Sequence, residues 1–421
     1  MWNKLLTAPA QPKALTDLIP PRVRCRHRNA PSEELRVVWV TKGKWRSSGP
    51  IVNVGVHNAH SFAAIGVKSD FFVSTGSDTE TAQDLTNFYS LDSAPELSIH
   101  RVQRAKSWGV DESAPIYREA REHILKLSQK GPVAVFTRES GFLMSLVKLS
   151  RRHNIRGFYE LHDLYADLSY HQRSVPFSFH RRKWLEKLLL PRVSGLVCIT
   201  RDQEKIYQGL FPKTPTIYAP LGTKPFPERD IEARRHARTV FYVGHMHGIK
   251  GVAFLRKASF ALAQAGIRTE FWGGGEKDSR PIIEAAREAG LQDWISAVPF
   301  QPPAKMHQAL AERASLGVVM LSDTYYNRHL TCPVKALDYL SHGIPSLGTD
   351  LPSVRDILAD AGHYISEGDT DAFVARASSL LDDPAAYADA VAKSRARCAE
   401  ITWQKRAEAL HQFAEKSLAR R

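Results

Sequence analysis

The chain has 421 residues, 43% of them hydrophobic and 24% charged, with a formal net charge of +14. That length calls for two domains, each with its own core, and the composition is that of a soluble globular protein. No apolar run approaches the roughly 18 residues of a membrane span, and the N-terminus lacks the apolar core and cleavage site of a secretion signal.

Residues 1–34 read as a loosely ordered extension rich in Pro and Arg. Leu35 to Thr41 is a buried-strand pattern. It leads into KGKWRSSGP, where Gly43 and Gly49 permit tight turns, and Pro50 then opens a helix that Gly66 stops. Strand, Gly-containing loop and helix make the first unit of a parallel α/β domain. On that helix Asn53, His57 and His60 share a face, suited either to lining an acceptor cleft or to solvent; metal binding there is poorly supported. Ser69 to Ser74 is a strand, and residues 76–112 read as polar and irregular. A helix over Pro115 to Gln129, a strand over Pro132 to Thr137 and a helix over Leu143 to His153 follow. The strand Gly157 to Leu161 ends in His162 and Asp163. Ligands gather at the carboxyl ends of parallel strands, which places Arg138, His162 and Asp163 at a cleft rim.

Phe179 to Leu190 reads as a basic amphipathic helix. Trp184, Leu185, Leu188 and Leu189 are its apolar side; Arg181, Arg182, Lys183 and Lys187 are its basic side. It either covers the sheet or lies on an anionic surface. Gly195 to Thr200 is the last strand of the first domain, and LGTKPFPERD is a Gly- and Pro-containing linker. Residues 1–224 carry 33 Lys+Arg against 20 Asp+Glu, whereas residues 225–421 carry 25 against 24. A basic half joined to a neutral half marks the first domain for an anionic partner, unless it is simply basic. No RNA-binding or zinc-finger signature and no basic stretch with interleaved aromatics is present. Nucleic acid is therefore not the expected partner, and an anionic membrane leaflet remains the candidate beside a domain that is simply basic.

The second domain opens with the strand Thr239 to Val243, then GHMHGIKG and a helix over Val252 to Ala265. The strand Thr269 to Trp272 ends in Gly273, Gly274 and Gly275. Leu316 to Ser322 is a buried strand, followed by LTCPVKALDYLSHGIPSLGT. There Pro333 suits the first turn of a helix capped by Thr331, Val334, Leu337 and Leu340 form an apolar stripe, and Gly343 and Pro345 end it. Such a helix start, with Lys335 in its first turn, suits an anion. Asp338, one turn on, offers two acceptors to a vicinal diol. An amphipathic helix with a solvated Lys and Asp fits the same residues. Asp369-Thr370-Asp371 reads as a helix cap. Cys25, Cys198, Cys332 and Cys398 lie far apart with no metal-ligand spacing, as reduced thiols in a cytoplasmic protein would.

The run P-V-K-A-L-D-Y-L-S-H-G-I-P resembles the donor-site signature of retaining glycosyltransferases of the GT-B fold, glycosyltransferase family four, which reads roughly P-x-K-x-x-E-Y-x-A-x-G-x-P. The resemblance is strong from about residue 239 to 410 and looser from 35 to 222. It implies an α/β protein of two facing doubly wound, Rossmann-like domains with the active site in the cleft between them. The expected domains are 35–222 on the acceptor side and 223–400 for the nucleotide-sugar, with 401–421 packing back across the boundary. It implies transfer of a sugar from a nucleoside diphosphate-sugar, such as a UDP- or GDP-sugar, to a hydroxyl. The configuration would be retained, without a metal or other cofactor, in bacterial-type surface polysaccharide or glycolipid synthesis.

The diphosphate would meet Gly49, Gly244, His245, Lys250, Thr331, Pro333, Val334 and Lys335, with Gly274 beside the nucleotide. Asp338 would hold the ribose, and His162 the sugar or acceptor. Asn53, His57 and Arg138 would face a lipid-linked or saccharide acceptor, with the protein cytoplasmic or on the inner face of the membrane. Two positions depart from the family: His245 stands for an Arg, and Leu330 for the first of two Glu. Asn327, Arg328 and His329 are candidates to supply what Leu330 lacks. An epimerase of the same fold is a rival reading, and those departures motivate a second, a non-catalytic nucleotide-sugar-binding scaffold.

Overall fold

A computed structural model describes residues 34–47, 49–105, 113–171, 175–246 and 250–420. The N-terminal extension and Cys25 thus lie outside the described residues. The first domain alternates strand and helix: β1 (Arg36–Lys44), α1 (Pro50–Ala64), β2 (Ser69–Ser74), α2 (Thr81–Asn87), β3 (Leu97–Val102), α3 (Ala114–Leu127), β4 (Val133–Thr137), α4 (Leu143–Leu149), β5 (Ile155–Glu160), α5 (Phe177–Leu189), β6 (Gly195–Cys198), α6 (Arg201–Leu210) and β7 (Thr216–Tyr218). Its seven strands run parallel in the order β3-β2-β1-β4-β5-β6-β7.

The second domain holds α7 (Ile231–His236), β8 (Thr239–Val243), α8 (Val252–Gln264), β9 (Arg268–Trp272), α9 (Glu276–Glu288), β10 (Ile295–Val298), α10 (Pro303–Arg313), β11 (Leu316–Val319), α11 (Val334–Ser341), β12 (Ser346–Thr349), α12 (Pro352–Leu358), β13 (Gly362–Ile365), α13 (Thr370–Asp382) and α14 (Pro384–Glu400). Its six parallel strands lie in the order β10-β9-β8-β11-β12-β13. Both domains are doubly wound, as the resemblance implies. The strand order reverses between β1 and β4 and between β8 and β11. A crevice therefore opens beyond the carboxyl ends of those four strands.

Several local expectations needed correction. Residues 76–112 include α2 and β3. β3 is an edge strand, and its half-exposed sequence LSIHRV carries no apolar run. Thr331 does not cap α11: Pro333 is itself the residue before the helix, with an extended ψ of 92°. The ring of Pro333 keeps its predecessor out of the helical region, so Thr331 lies too far back to cap. Trp184 is 75% exposed, because α5 buries fully only Glu186 and Leu189. Other expectations held. Gly66 and Gly343 take the left-handed conformation at the ends of α1 and α11, with φ of 83° and 65°. Asp369 accepts from the Ala372 N–H as a cap. The three described cysteines are free and buried.

The chain returns to the first domain at its end. Thr223 and Trp403 pair through their backbones, and α15 (Trp403–Ala419) packs on α1 and β5. Arg406, 4% exposed, pairs with Glu160 at the end of β5 and donates to Asn58, Ala219 and Pro220. A second tie runs the other way. Tyr326–Leu330 wind as a π-helical turn beyond β11, and Leu330, fully buried, joins the apolar core of the first domain beside Tyr325 and Tyr326. Tyr325 stacks on Tyr170 at 4.6 Å.

Burial raises the Glu160 pKa, but Arg406 and His162 more than offset this and hold it at about 2 against 4.5. Stability from this pair is complete above the unfolded carboxyl value and disappears as pH falls from about 4.5 toward about 2. Wild-type unfolding free energy should therefore fall more steeply over that window than that of Glu160→Gln. At neutral pH, Arg406→Met strands a buried carboxylate and should cost about 3–5 kcal/mol in urea unfolding, most of it recovered in Arg406→Met/Glu160→Gln. Leu330→Ala should cost about 2–5 kcal/mol in the same assay, because the first domain's core loses an apolar plug.

Candidate functional site

A cavity of about 560 Å³ lies between the two domains at both reversal points. From the first domain its wall takes Gly49, Asn53, Arg138 and His162. From the second it takes Gly244, His245, Lys250 and Gly274, then Leu330, Thr331, Pro333, Val334, Lys335 and Asp338. His57 is not in the wall. It stacks on Trp403 at 5.1 Å, and burial, then the charge of neighbouring His307 and His60, pushes its pKa down to about 3. The helical spacing placed it on the right face of α1, but α15 covers that point. The three candidates to replace Leu330 are also engaged elsewhere. Asn327 donates to Ser322, Arg328 pairs with Asp323, and His329 meets Asp202 of the first domain at 2.8 Å.

The first-domain side is held by a buried network. Thr41 Oγ1 and the Lys42 N–H donate to Glu139 at 2.9 and 3.1 Å, fixing the chain beyond β1 next to Arg138. His162 Nε2 lies 2.7 Å from Glu160 Oε1. Burial, then the charge of Arg138, lowers the His162 pKa to about 4, although Glu160 opposes this. The imidazole is therefore neutral near pH 7. A carboxylate only accepts, so Nε2 carries the proton and Nδ1 is left as an acceptor. Asn53 Oδ1 is buried without a hydrogen-bond partner among the described residues.

The second-domain side is built from turns that only glycine allows. Gly244 and Gly273 have φ of 120° and 129°, and a Cβ on Gly273 would stand 2.2 Å from the Gly244 oxygen. The Gly275 N–H donates to Asp278 at 2.7 Å, which starts α9. Asp278 lies in the cavity wall, and its three-residue spacing from Gly275 is a cap signature that sequence reading passed over. Phe300 and Gln301 follow β10, while Tyr326 and His307 enter from the π-turn and α10; no sequence pattern distinguished the last two.

Facing the cavity, α11 presents its free amino end together with two desolvated lysines. Lys335 Nζ is buried with no hydrogen-bond partner among the described residues, 3.7 Å from the centre of the Tyr242 ring. Burial, then the charge of Lys250, lowers its pKa well below the usual lysine value, and Asp338 opposes this. Burial lowers Lys250 as well. Burial raises Asp338 to about 7, against the pull of Lys335. Two desolvated lysines and a helix start thus share one wall of the cavity, an arrangement suited to a polyvalent anion.

Residues 237–383 match the family model described as "Glycosyl transferases group 1". Alpha-D-kanosaminyltransferase of Streptomyces kanamyceticus is 24% identical over 218 residues, 48% of this chain and 55% of that protein. The chain thus spans about half the length of that relative. Sucrose-phosphate synthase of Thermosynechococcus elongatus superposes with a TM-score of 0.67 at 18% identity, covering 92% of this chain and 100% of that one. HepE of Anabaena, solved in complex with UDP, superposes with a TM-score of 0.63 at 12% identity, covering 91% and 100%. The second domain therefore carries the sequence pattern of group 1 glycosyl transferases, and the chain as a whole has their two-domain GT-B fold.

Proposed function

We propose that this chain transfers a sugar from a UDP-linked donor to a hydroxyl of a saccharide or lipid-linked acceptor. The configuration is retained and no metal takes part, in the synthesis of a surface polysaccharide or glycolipid. The observation that carries this reading is Lys335: a buried amino group at the amino end of α11, beside Lys250, with no hydrogen-bond partner among the described residues. The diphosphate would lie against α11 and both lysines, with Gly244 allowing its backbone close approach. Asp338 would accept the ribose hydroxyls. As the bond from sugar to diphosphate breaks, negative charge grows on the leaving oxygen, and the lysines stabilise it in a water-poor site. His162 Nδ1 would accept from a sugar or acceptor hydroxyl, with Arg138 and Asn53 beside it. UDP is favoured over other nucleotides because the similar HepE structure contains it.

Incubation with labelled nucleotide-sugars and an acceptor panel tests the reaction, with UDP release coupled to acceptor labelling as the expected result. Product without an acceptor would point instead to an epimerase, and no turnover to a binding scaffold. Lys250→Ala should cut turnover at least about tenfold, since hydrogen bonds to charged groups are worth about 1.5–3 kcal/mol. Asp338→Ala should weaken free UDP, and Asp338→Glu much less so. Diphosphate binding favours the charged form of Lys335, raising a pKa that burial had lowered. Well above pH 7, where Asp338 is already ionised, UDP binding should therefore take up protons. Calorimetry in buffers of different ionisation enthalpy measures this, and Lys335→Met should abolish most of it.

The membrane expectation gains support from α5. Phe177 is 84% and Trp184 75% exposed, and with Arg181 they stand at helical spacing on one face. Met144 on neighbouring α4 is 40% exposed. Aromatic rings flanked by His180, Arg181 and Lys187 match the interface of an anionic bilayer. Among the described residues no helix is long and apolar enough to cross a membrane. Anionic vesicles should float the protein at low salt and release it at high salt, and Phe177→Ser/Trp184→Ser should float poorly. Absence of flotation at low salt would favour a soluble acceptor.

A further inference from the structure

A second group of chemistry-bearing side chains lies away from the cleft. Asp70 stands near the start of β2, at the opposite end of the sheet from the cavity. In the parallel β2–β3 pair, Asp70 faces Ser98 and Phe72 faces His100. Side chains alternate along each strand, so Asp70, Phe72 and His100 share one face, with Asp70 and His100 as diagonal neighbours. Helix α3 covers that face through Ile116, Ala120 and Ile124, and His123 reaches the same point beside Ile124.

The three polar groups converge. Asp70 Oδ1 lies 2.7 Å from His100 Nε2 and 3.0 Å from His123 Nε2. These ligand atoms all fall within 4.8 Å of one another. Phe72 stacks on His100 at 4.3 Å and lies 5.4 Å from His123, an apolar wall that fixes both rings. Asp70 is 6% exposed, while the imidazole side chains are 32% and 29% exposed, so the group is closed behind and open in front.

We propose that Asp70, His100 and His123 bind a divalent transition-metal ion, with zinc the best match, as a clamp between the edge strand β3 and helix α3. Two imidazole nitrogens and one carboxylate oxygen are a zinc donor set, and the open side leaves a fourth position for water. Imidazole disfavours magnesium and calcium, which take oxygen ligands. The proton each Nε2 donates to Asp70 in the free protein passes to Nδ1 by way of solvent, freeing the lone pair for the metal. Among the described residues β3 has no strand on its outer side. A metal there pins an otherwise open edge to the helix that covers it. The site lies remote from the cleft, so it acts on stability and takes no part in sugar transfer.

The test uses the full chain after chelator treatment and dialysis. Zinc chloride titrated by calorimetry should show one tight equivalent and raise the melting temperature, whereas magnesium and calcium should do neither. His100→Gln and His123→Gln each keep an N–H for Asp70, and both should lose the equivalent and the thermal shift. His180→Gln, an exposed histidine elsewhere, should keep both. Cobalt offered to the unmodified protein gives a readout that needs no variant: a visible absorption that zinc discharges. A wild-type chain that takes up no tight equivalent overturns the proposal. So does an equivalent that survives both substitutions, which would locate the metal on another surface histidine.

Discussion

The Glu160 carboxylate is the joint on which the two halves of this molecule depend. One oxygen meets Arg406, which arrives on the last helix of the chain, and the other meets His162 at the rim of the cleft. Arg406 also donates to Ala219 and Pro220, where the chain leaves the first domain. A single buried acid thus fixes the C-terminal helix, the departure of the linker and the tautomer of a cleft histidine. Such pairs seldom add much net stability over an apolar equivalent, because both charges must be desolvated. What this one supplies is position: α15 can dock in only one register if Arg406 is to find its partner.

The opposite wall of the cleft is built on the reverse principle. Glu160 is buried and satisfied, whereas Lys335 is buried without a hydrogen-bond partner among the described residues, and Lys250 and Asp338 are pushed toward their neutral forms by the same desolvation. A chain selected for stability alone would have paired these groups or replaced them with apolar ones. On the proposed function, a diphosphate would relieve both lysines at once, so the cost of burying them becomes binding energy for the ligand.

The fold was legible wherever the pattern was local. Continuous apolar runs bounded by glycine and proline located β1, β2, β4 and β8, and the punctuation at Gly49-Pro50, Gly66 and Gly343 located helix ends. The edge strand β3 escaped because LSIHRV is half-exposed and has no run to see. In the cleft, the stretch from Pro333 to Asp338 was legible because its residues are consecutive on one helix start. The partner of Glu160 was not, since Arg406 lies 246 residues away. His57 shows the limit of periodicity: spacing gives the face of a helix but not what covers it. Asp70, His100 and His123 come from three elements with no fixed spacing, and only the register of β2 against β3 and the packing of α3 over that face bring them together.

Leu330 carries the last consequence. The resemblance puts a sugar-binding carboxylate at this position, and here an apolar side chain plugs the core of the facing domain. Its neighbours cannot stand in, because Asn327, Arg328 and His329 are bound to Ser322, Asp323 and Asp202. The Thr331 N–H is likewise spent on the Tyr326 carbonyl. On the proposed function, polar recognition of the sugar then passes across the cleft to Asn53, Arg138 and His162, whose free acceptors and guanidinium face the cavity. The second domain would hold the nucleotide and the first would read the sugar. A donor would be fully recognised only while the two domains are held together, and Leu330 is one of the contacts that holds them.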